Sequence, residues 1–360
     1  MTEPRADVPP TDVAGRRRVL ILGAGVVALL SCALTLWATG AAGVVSLPGI
    51  PAPGAEVTWL VPALRLVADA AAVLTVGCLL GAVVLVPGDQ LLSAAGYRWV
   101  RLAGWGATAW AAVSLISLPV LLADFLGTRL SAISLRGVGG FVVSVDQGRA
   151  QLLVAALAAM AAVAARTVLT PSGARVLLVV ALAATIPPAL TGHTADEAGH
   201  TLAVTGVVLH VVGVVLWAGG LLALVLAAKL TGAARTGAVE RFSRLALPLA
   251  LLVAGSGVIT ALTRLSAPGQ LLETSYGAVL LAKTTALIGL VAIGSWHRRR
   301  TLPGLRAGRP RVFLRLASAE VLVFAATIGL AVGLARTPTP PVQGNDAGAA
   351  ALQTAAGKAR

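Results

Sequence analysis

Apolar runs long enough to cross a bilayer recur along this chain, separated by short polar connections. They fall at roughly 19–41, 58–86, 99–123, 150–168, 174–192, 203–228, 245–266, 277–297 and 314–335. Each can cover a hydrocarbon core of roughly 30 Å at about 1.5 Å of rise per residue. Lipid offers no partner to open backbone groups, and the runs are too long for barrel strands, so the pattern predicts an all-α, polytopic membrane bundle of nine transmembrane helices. The first run follows a basic flank, as a signal peptide would. A signal h-region is usually ~7 to 15 residues, however, and Val19 to Ala41 is longer, which predicts an uncleaved first helix.

The same pattern divides the chain. Residues 1–18 are expected to form an amino-terminal segment, 19–190 a first membrane half of five helices and 191–336 a second half of four. The tail 337–360 is rich in Pro, Gly and Ala and is expected to be disordered. The longest connection, Thr128 to Arg149, has room for a short surface helix.

Composition strengthens the membrane reading: 57% of residues are hydrophobic, 12% are charged, and mean hydropathy is +0.89, outside the range of ordinary soluble domains. A net charge of +14 would suit a nucleic-acid partner, but the basic residues lie in short clusters between the apolar runs. They read as topology signals, and no nucleic-acid partner is expected. With the amino terminus in the cytoplasm, nineteen Lys and Arg fall in cytoplasmic segments and seven in external ones, as the positive-inside rule requires. Cys32 and Cys78 both lie within spans and form no CxxC pair, so a disulfide framework is not expected.

Orientation gives a side to the densest polar chemistry in the chain. The loop between the fifth and sixth runs carries no Lys or Arg and falls outside. It holds His193, Asp196, Glu197 and His200, with His210 a few turns down the sixth helix. Three of the four histidines are therefore on one side, while His297 sits at the cytoplasmic end of the eighth run. Imidazole with carboxylate suits Cu, Zn or Ni, so the group is a candidate metal-binding set. If residues 200 to 210 are all helical, His200 and His210 stand about 15 Å apart along the axis, too far for one coordination sphere. His210 then joins a loop histidine only if the sixth helix starts late or a neighbouring end folds over it. Otherwise the loop captures metal and His210 receives it deeper. Pro187 and Pro188 are expected to disrupt the last turns of the fifth helix and free carbonyl groups nearby.

Within the spans, Arg65, Asp69, His210, Lys283 and Glu320 are costly to place, at ~2.5 kcal/mol or more per charge at mid-membrane. Such residues pair, face the bundle interior or line a path. Arg65 and Asp69 are four apart and can pair on one helical face. Arg65, His210 and Lys283 lie at similar depths from the external side, so a shared polar layer is possible. Glu320 enters from the cytoplasmic side, where Arg315 or another basic residue can pair with it. Trp217 lies two turns below His210 and reads first as a packing residue, and Gly213, Gly219 and Gly220 permit close helix approach.

The ordered segments "LHVVGVVLWAGGLLAL", "RFSRLALPLALLVAGSGVITALTRL", "TSYGAVLLAKTTALIGLVAIGSWHRR" and "RLASAEVLVFAATIGLAVGLARTPTPP" resemble the copper resistance D family of membrane proteins (CopD). Earlier helices, including "LRLVADAAAVLTVGCLLGAVVL", are similar to the amino-terminal half of actinobacterial-type members. The resemblance implies a multi-pass protein of the plasma membrane that takes up copper, with a periplasmic CopC-like copper carrier as partner. By position it would carry family roles onto His210, Trp217, Tyr276, Gly277, Lys283 and Glu320. One departure is that methionine is nearly absent: Met1 and Met160 are the only two, so thioether sites suited to Cu(I) are scarce.

Two other classes stay open on the sequence. One is a non-transporting assembly or scaffold subunit that supplies copper to cytochrome oxidase. The other is a dihaem membrane electron-transfer protein, for which His193 with His210 is the plausible axial pair. No nucleophile triad, phosphate loop, HExxH or nucleotide motif is present, so no enzymatic activity is expected. The copper oxidation state, direction of transport, energy source and oligomeric state are not encoded in any motif.

Overall fold

The computed structural model describes residues 10–43, 52–191, 197–227, 230, 232–263, 265, 269–306 and 311–337. Among these the chain is helical and no strand occurs. The helices are α1 (Pro10–Ala38), α2 (Ala55–Leu80), α3 (Ala94–Leu126), α4 (Leu135–Ser144), α5 (Asp146–Ala164), α6 (Pro171–Ala183), α7 (Pro187–Leu190), α8 (Glu197–Leu226), α9 (Gly232–Leu262), α10 (Gln270–Glu273), α11 (Ser275–Arg306) and α12 (Arg311–Leu334). Nine helical segments among the described residues are long and apolar enough to span a membrane, and they coincide with the nine apolar runs.

Boundaries differ where polar residues extend a helix beyond the lipid. α1 begins at Pro10 instead of near residue 19, α9 at Gly232 instead of near 245, and α11 runs on to Arg306. A helix has no reason to stop at the hydrocarbon edge, because its backbone bonds are internal and its charged side chains reach the headgroups. The connection after α3 does contain a short surface helix, α4. Residues 338–360, including the tail expected to be disordered, lie outside the described residues.

Helix termini follow local chemistry. Ser93 caps α3 by accepting the Gly96 N–H at 3.1 Å, and α3 ends at Gly127, whose φ of +62° is the left-handed conformation glycine adopts without penalty. α2 passes into a π-helical turn over Gly81–Leu85. Pro62, Pro119 and Pro248 are tolerated inside α2, α3 and α9, as neighbouring helices allow within a membrane. The fifth span does break near its prolines: α6 ends at Ala183 and α7 begins at Pro187, because Pro187 cannot donate to the preceding turn.

The first half of the bundle packs α2 against α3, with α5 and α6 alongside. The second packs α8 against α9, and α11 against α12. The halves meet where α2 crosses α8, and α1 returns to lie on α12, tied by Ser31 Oγ donating to the Ala326 carbonyl at 2.8 Å. At the central crossing the backbones themselves touch: a methyl group on Gly219 would lie 2.9 Å from the Cα and N of Gly77 and from the Val73 carbonyl oxygen. This is close approach by small residues, which lets dispersion and weak backbone contacts hold helices that gain nothing hydrophobic from lipid. Gly220 and Gly213 serve the α9 side, against Phe242 and against Val253 and Leu252.

Polar clamps join the halves at both ends of the bundle. On the side that the arginine bias makes external, Arg336 beyond α12 donates to both carboxylate oxygens of Asp124 in α3, at 2.7 and 2.9 Å. On the other side, Arg241 of α9 donates from Nε and Nη2 to the Leu85 carbonyl at 3.2 and 2.6 Å. That carbonyl ends the π turn and has no helical N–H to accept from.

Candidate functional site

The site is organised by α8, whose residues divide into two stripes. Gly206, His210, Gly213 and Gly220 recur at helical spacing and meet α9. Val211, Val215 and Gly219 form the next stripe, about 100° around the helix, and meet α2 and its neighbours. Gly206, Gly213 and Gly220, each two turns apart on the first stripe, and Gly219 on the second let the partner helices come close, so the single polar side chain on the first stripe is pressed onto α9.

His210 is half-buried, and its Nδ1 lies 3.2 Å from the Val253 carbonyl oxygen and 3.3 Å from Ser256 Oγ. Ser256 is 3% exposed, and its hydroxyl proton goes to carbonyls of its own helix, Leu252 at 2.6 Å or Val253 at 3.1 Å. A carbonyl only accepts, and a hydroxyl whose proton is already committed accepts as well. Both neighbours of Nδ1 therefore require a hydrogen on it. The neutral ring then carries its lone pair on Nε2, the arrangement found in metal-ligating histidines whose other nitrogen donates to a backbone carbonyl.

Lys283 of α11 lies within electrostatic reach of the His210 ring. It lies on the inward stripe of its helix with Tyr276, 8% exposed, and Leu290, 3% exposed, spaced two turns apart. Tyr276 is placed by the start of α11, where Thr274 accepts the Gly277 N–H at 3.0 Å and so caps the helix. Trp217, two turns below His210, is 7% exposed and meets Phe324 of α12 edge-on, with ring centroids 4.9 Å apart and planes at 85°. Its packing role is thus visible in the fold. Glu320 is buried on α12 and faces α11 at Gly294; the side chain of Arg315, its expected partner, lies outside the described set.

Arg65 and Asp69 do pair, with Nε 3.1 Å from Oδ1. They do so away from His210. Together they line a pocket with Trp110 and Ser114 of α3, Gln151 of α5, Thr185 after α6, and Val211 and Val215 of α8. The shared polar layer expected from depth is therefore divided: α8 stands between the ion pair and the histidine, with Val211 and Val215 on one side and His210 on the other. Depth along a helix can be counted from sequence, but azimuth between helices depends on how they pack.

The candidate metal-binding set expected on the external side is only partly in view. His193 and Asp196 lie outside the described residues. Glu197 and His200 are in the first turn of α8, and their side chains lie outside the described set, as does that of His297. Because α8 is continuous from Glu197, His200 and His210 stand about 15 Å apart along one axis, two stations instead of one sphere. Among the described residues no three His, Cys, Asp or Glu side chains converge on a point that could hold a metal ion. Ser256, Gln151 and the Asp124–Arg336 clamp were not singled out by the sequence. Packing between helices brings each into play: α8 against α9 for Ser256, α5 against α3 for Gln151, and the end of α12 against α3 for the clamp.

Two family models match the chain. One, described as Copper resistance protein D-like, N-terminal domain, covers residues 56–204, and the other, Copper resistance protein D, covers residues 236–334. No curated protein and no solved structure matches it.

Proposed function

The chain belongs to the copper resistance protein D family, and on that premise we propose that it takes up copper across the plasma membrane from the external side. Multi-pass membrane character and a role in copper handling come with the family and the nine apolar helices. The further reading is a route. His193, Asp196, Glu197 and His200 capture the ion outside, delivered by a periplasmic CopC-like carrier, and His210 receives it about 15 Å deeper. Copper here is cargo, and imidazole is a ligand suited to it.

The observation that carries this reading is the bonding of His210. Its Nδ1 is committed to Val253 and Ser256 on the facing helix, which orients the ring and reserves Nε2 as a ligand atom in a half-buried position. A histidine serving only to pack helices gains nothing from holding one nitrogen free. Lys283, Tyr276, Trp217 and Glu320, together with Arg65 and Asp69, are the intramembrane polar groups that shape the path.

Copper uptake by intact cells expressing the wild-type chain or His210→Ala tests the proposal. Uptake above the vector control in wild type, lost in the variant at equal membrane abundance, supports it. Equal uptake in both removes His210 from the route. No uptake by either, with copper supply to oxidase impaired on deletion, makes the chain an assembly subunit. A haem absorption band in the purified protein replaces copper transport with electron transfer.

A further inference from the structure

The Arg65 pocket has features that the copper route does not use. It is a cavity of about 60 Å³. One water needs only ~10–15 Å³, so the pocket takes a few waters and excludes most solutes. Its wall contains Ser114, whose residue exposure is 0% and whose Oγ has no hydrogen-bond partner among the described residues. A buried hydroxyl left without any partner costs roughly 1–3 kcal/mol, which a water in the pocket removes. Gln151 donates from Nε2 to the Ser114 carbonyl at 3.2 Å and keeps its Oε1 as an acceptor on the same wall.

One titratable carboxyl among the described residues lines this pocket, that of Asp69. Asp69 is bound to Arg65, and both line the pocket; their side chains keep 32% and 46% exposure, so protein packing does not close over the pair. Arg65 is the one other charged group lining the pocket among the described residues. α3 offers Trp110 and Ser114, α5 offers Gln151 and Val154, the α6–α7 bend offers Ala184, Thr185 and Pro188, and α8 offers Val211 and Val215. Guanidinium does not release its proton in proteins, so among the described lining residues a change of charge falls on Asp69. Gln151 and Pro188 lie near the external ends of their helices, which places the pocket on that side of the bundle.

We propose that the Arg65–Asp69 pocket is a water-filled proton-binding site open toward the external face, with Asp69 as the acceptor. A hydronium ion delivers its proton to a carboxylate oxygen of Asp69 and leaves as water. The pocket charge rises by one, and the Arg65–Asp69 attraction is lost. Val211 and Val215 carry the resulting change to α8, whose adjacent stripe holds His210. The ligand is the proton itself, and the site stands whether or not copper is the cargo.

The test uses the full chain in lipid nanodiscs without copper. Infrared difference spectra recorded between alkaline and acidic buffer report carboxyl protonation, and Trp110 in the pocket wall reports the environment by fluorescence. Subtracting the Asp69→Asn spectrum from the wild-type spectrum isolates one carboxyl. The expected result is a single protonated-carboxyl band that Asp69→Asn lacks and Asp69→Glu regains, with a pH-dependent fluorescence change that Trp110→Phe removes. Ser114→Ala, which deletes a water partner, is expected to move the midpoint while keeping the band. Identical difference spectra for wild type and Asp69→Asn overturn the proposal. Should Asp69→Asn not fold, a wild-type titration insensitive to Ser114→Ala and Trp110→Phe overturns it instead. Failure of the copper-uptake assay with the band present separates the two readings.

Discussion

Two polar compartments flank α8 in the external half of the bundle, and they are built in different ways. The Arg65–Asp69 compartment is made by one helix: the partners are four residues apart, the charges cancel locally, and neighbouring helices contribute walls, a bare hydroxyl and room for water. The His210 compartment is made by two helices. The ring comes from α8, its hydrogen-bond acceptors come from Val253 and Ser256 of α9, and Lys283 approaches from α11. A pair on one helix forms in whatever bundle the helix joins. A ring oriented by another helix exists only in this one. The first design suits a group that changes protonation without moving, the second a ligand whose geometry is fixed from outside its own helix.

That contrast can be broken most severely at its centre. His210→Ala should abolish copper uptake to the level of the vector control while leaving the Arg65 pocket intact, measured as cell-associated copper at matched expression. If uptake survives, the two-helix compartment is not on the route. Gly219→Leu acts on both compartments at once, since the α2 and α8 backbones touch there. Overpacking of this kind should cost ~3 kcal/mol or more, read as a marked loss of thermal stability in detergent.

Smaller changes sharpen the difference. Ser256→Ala keeps the Val253 acceptor but removes the second partner of Nδ1, and outer-shell losses of this type reduce metal affinity about tenfold or more; isothermal titration of copper into the purified protein measures it. Arg65→Ala and Asp69→Ala, alone and together, form a double-mutant cycle in detergent unfolding. Because both side chains are about one third or more exposed, the coupling should be below ~1 kcal/mol. A much larger value would mean that the pair is sealed and that the pocket does not reach water.

Several parts of this picture are legible in the residues alone. Nine apolar runs announce nine spans, because a membrane segment must carry its own backbone hydrogen bonds and advertise its length in hydropathy. Arg65 and Asp69 announce a pair because helical spacing is local. Pro187 announces a break, and the glycines of "WAGG" announce close contact. Which helix each glycine meets is another matter: Gly219 meets Gly77, 142 positions away in the chain, and no local rule reaches that far. The acceptors of His210 are likewise 43 and 46 residues distant.

Everything that depends on distance along a helix therefore follows from the residues alone: span number and length, the side on which basic residues collect, the depth of each ionisable group and the 15 Å step from His200 to His210. What the tertiary structure decided is rotation and neighbourhood. It set Arg65 and His210, at similar depths, against different stripes of α8, gave His210 its two acceptors, left a cavity beside Asp69, and tied Asp124 to Arg336 across the bundle. The physical reason is that lipid fixes where a residue stands along the membrane normal, while packing between helices alone fixes what it faces.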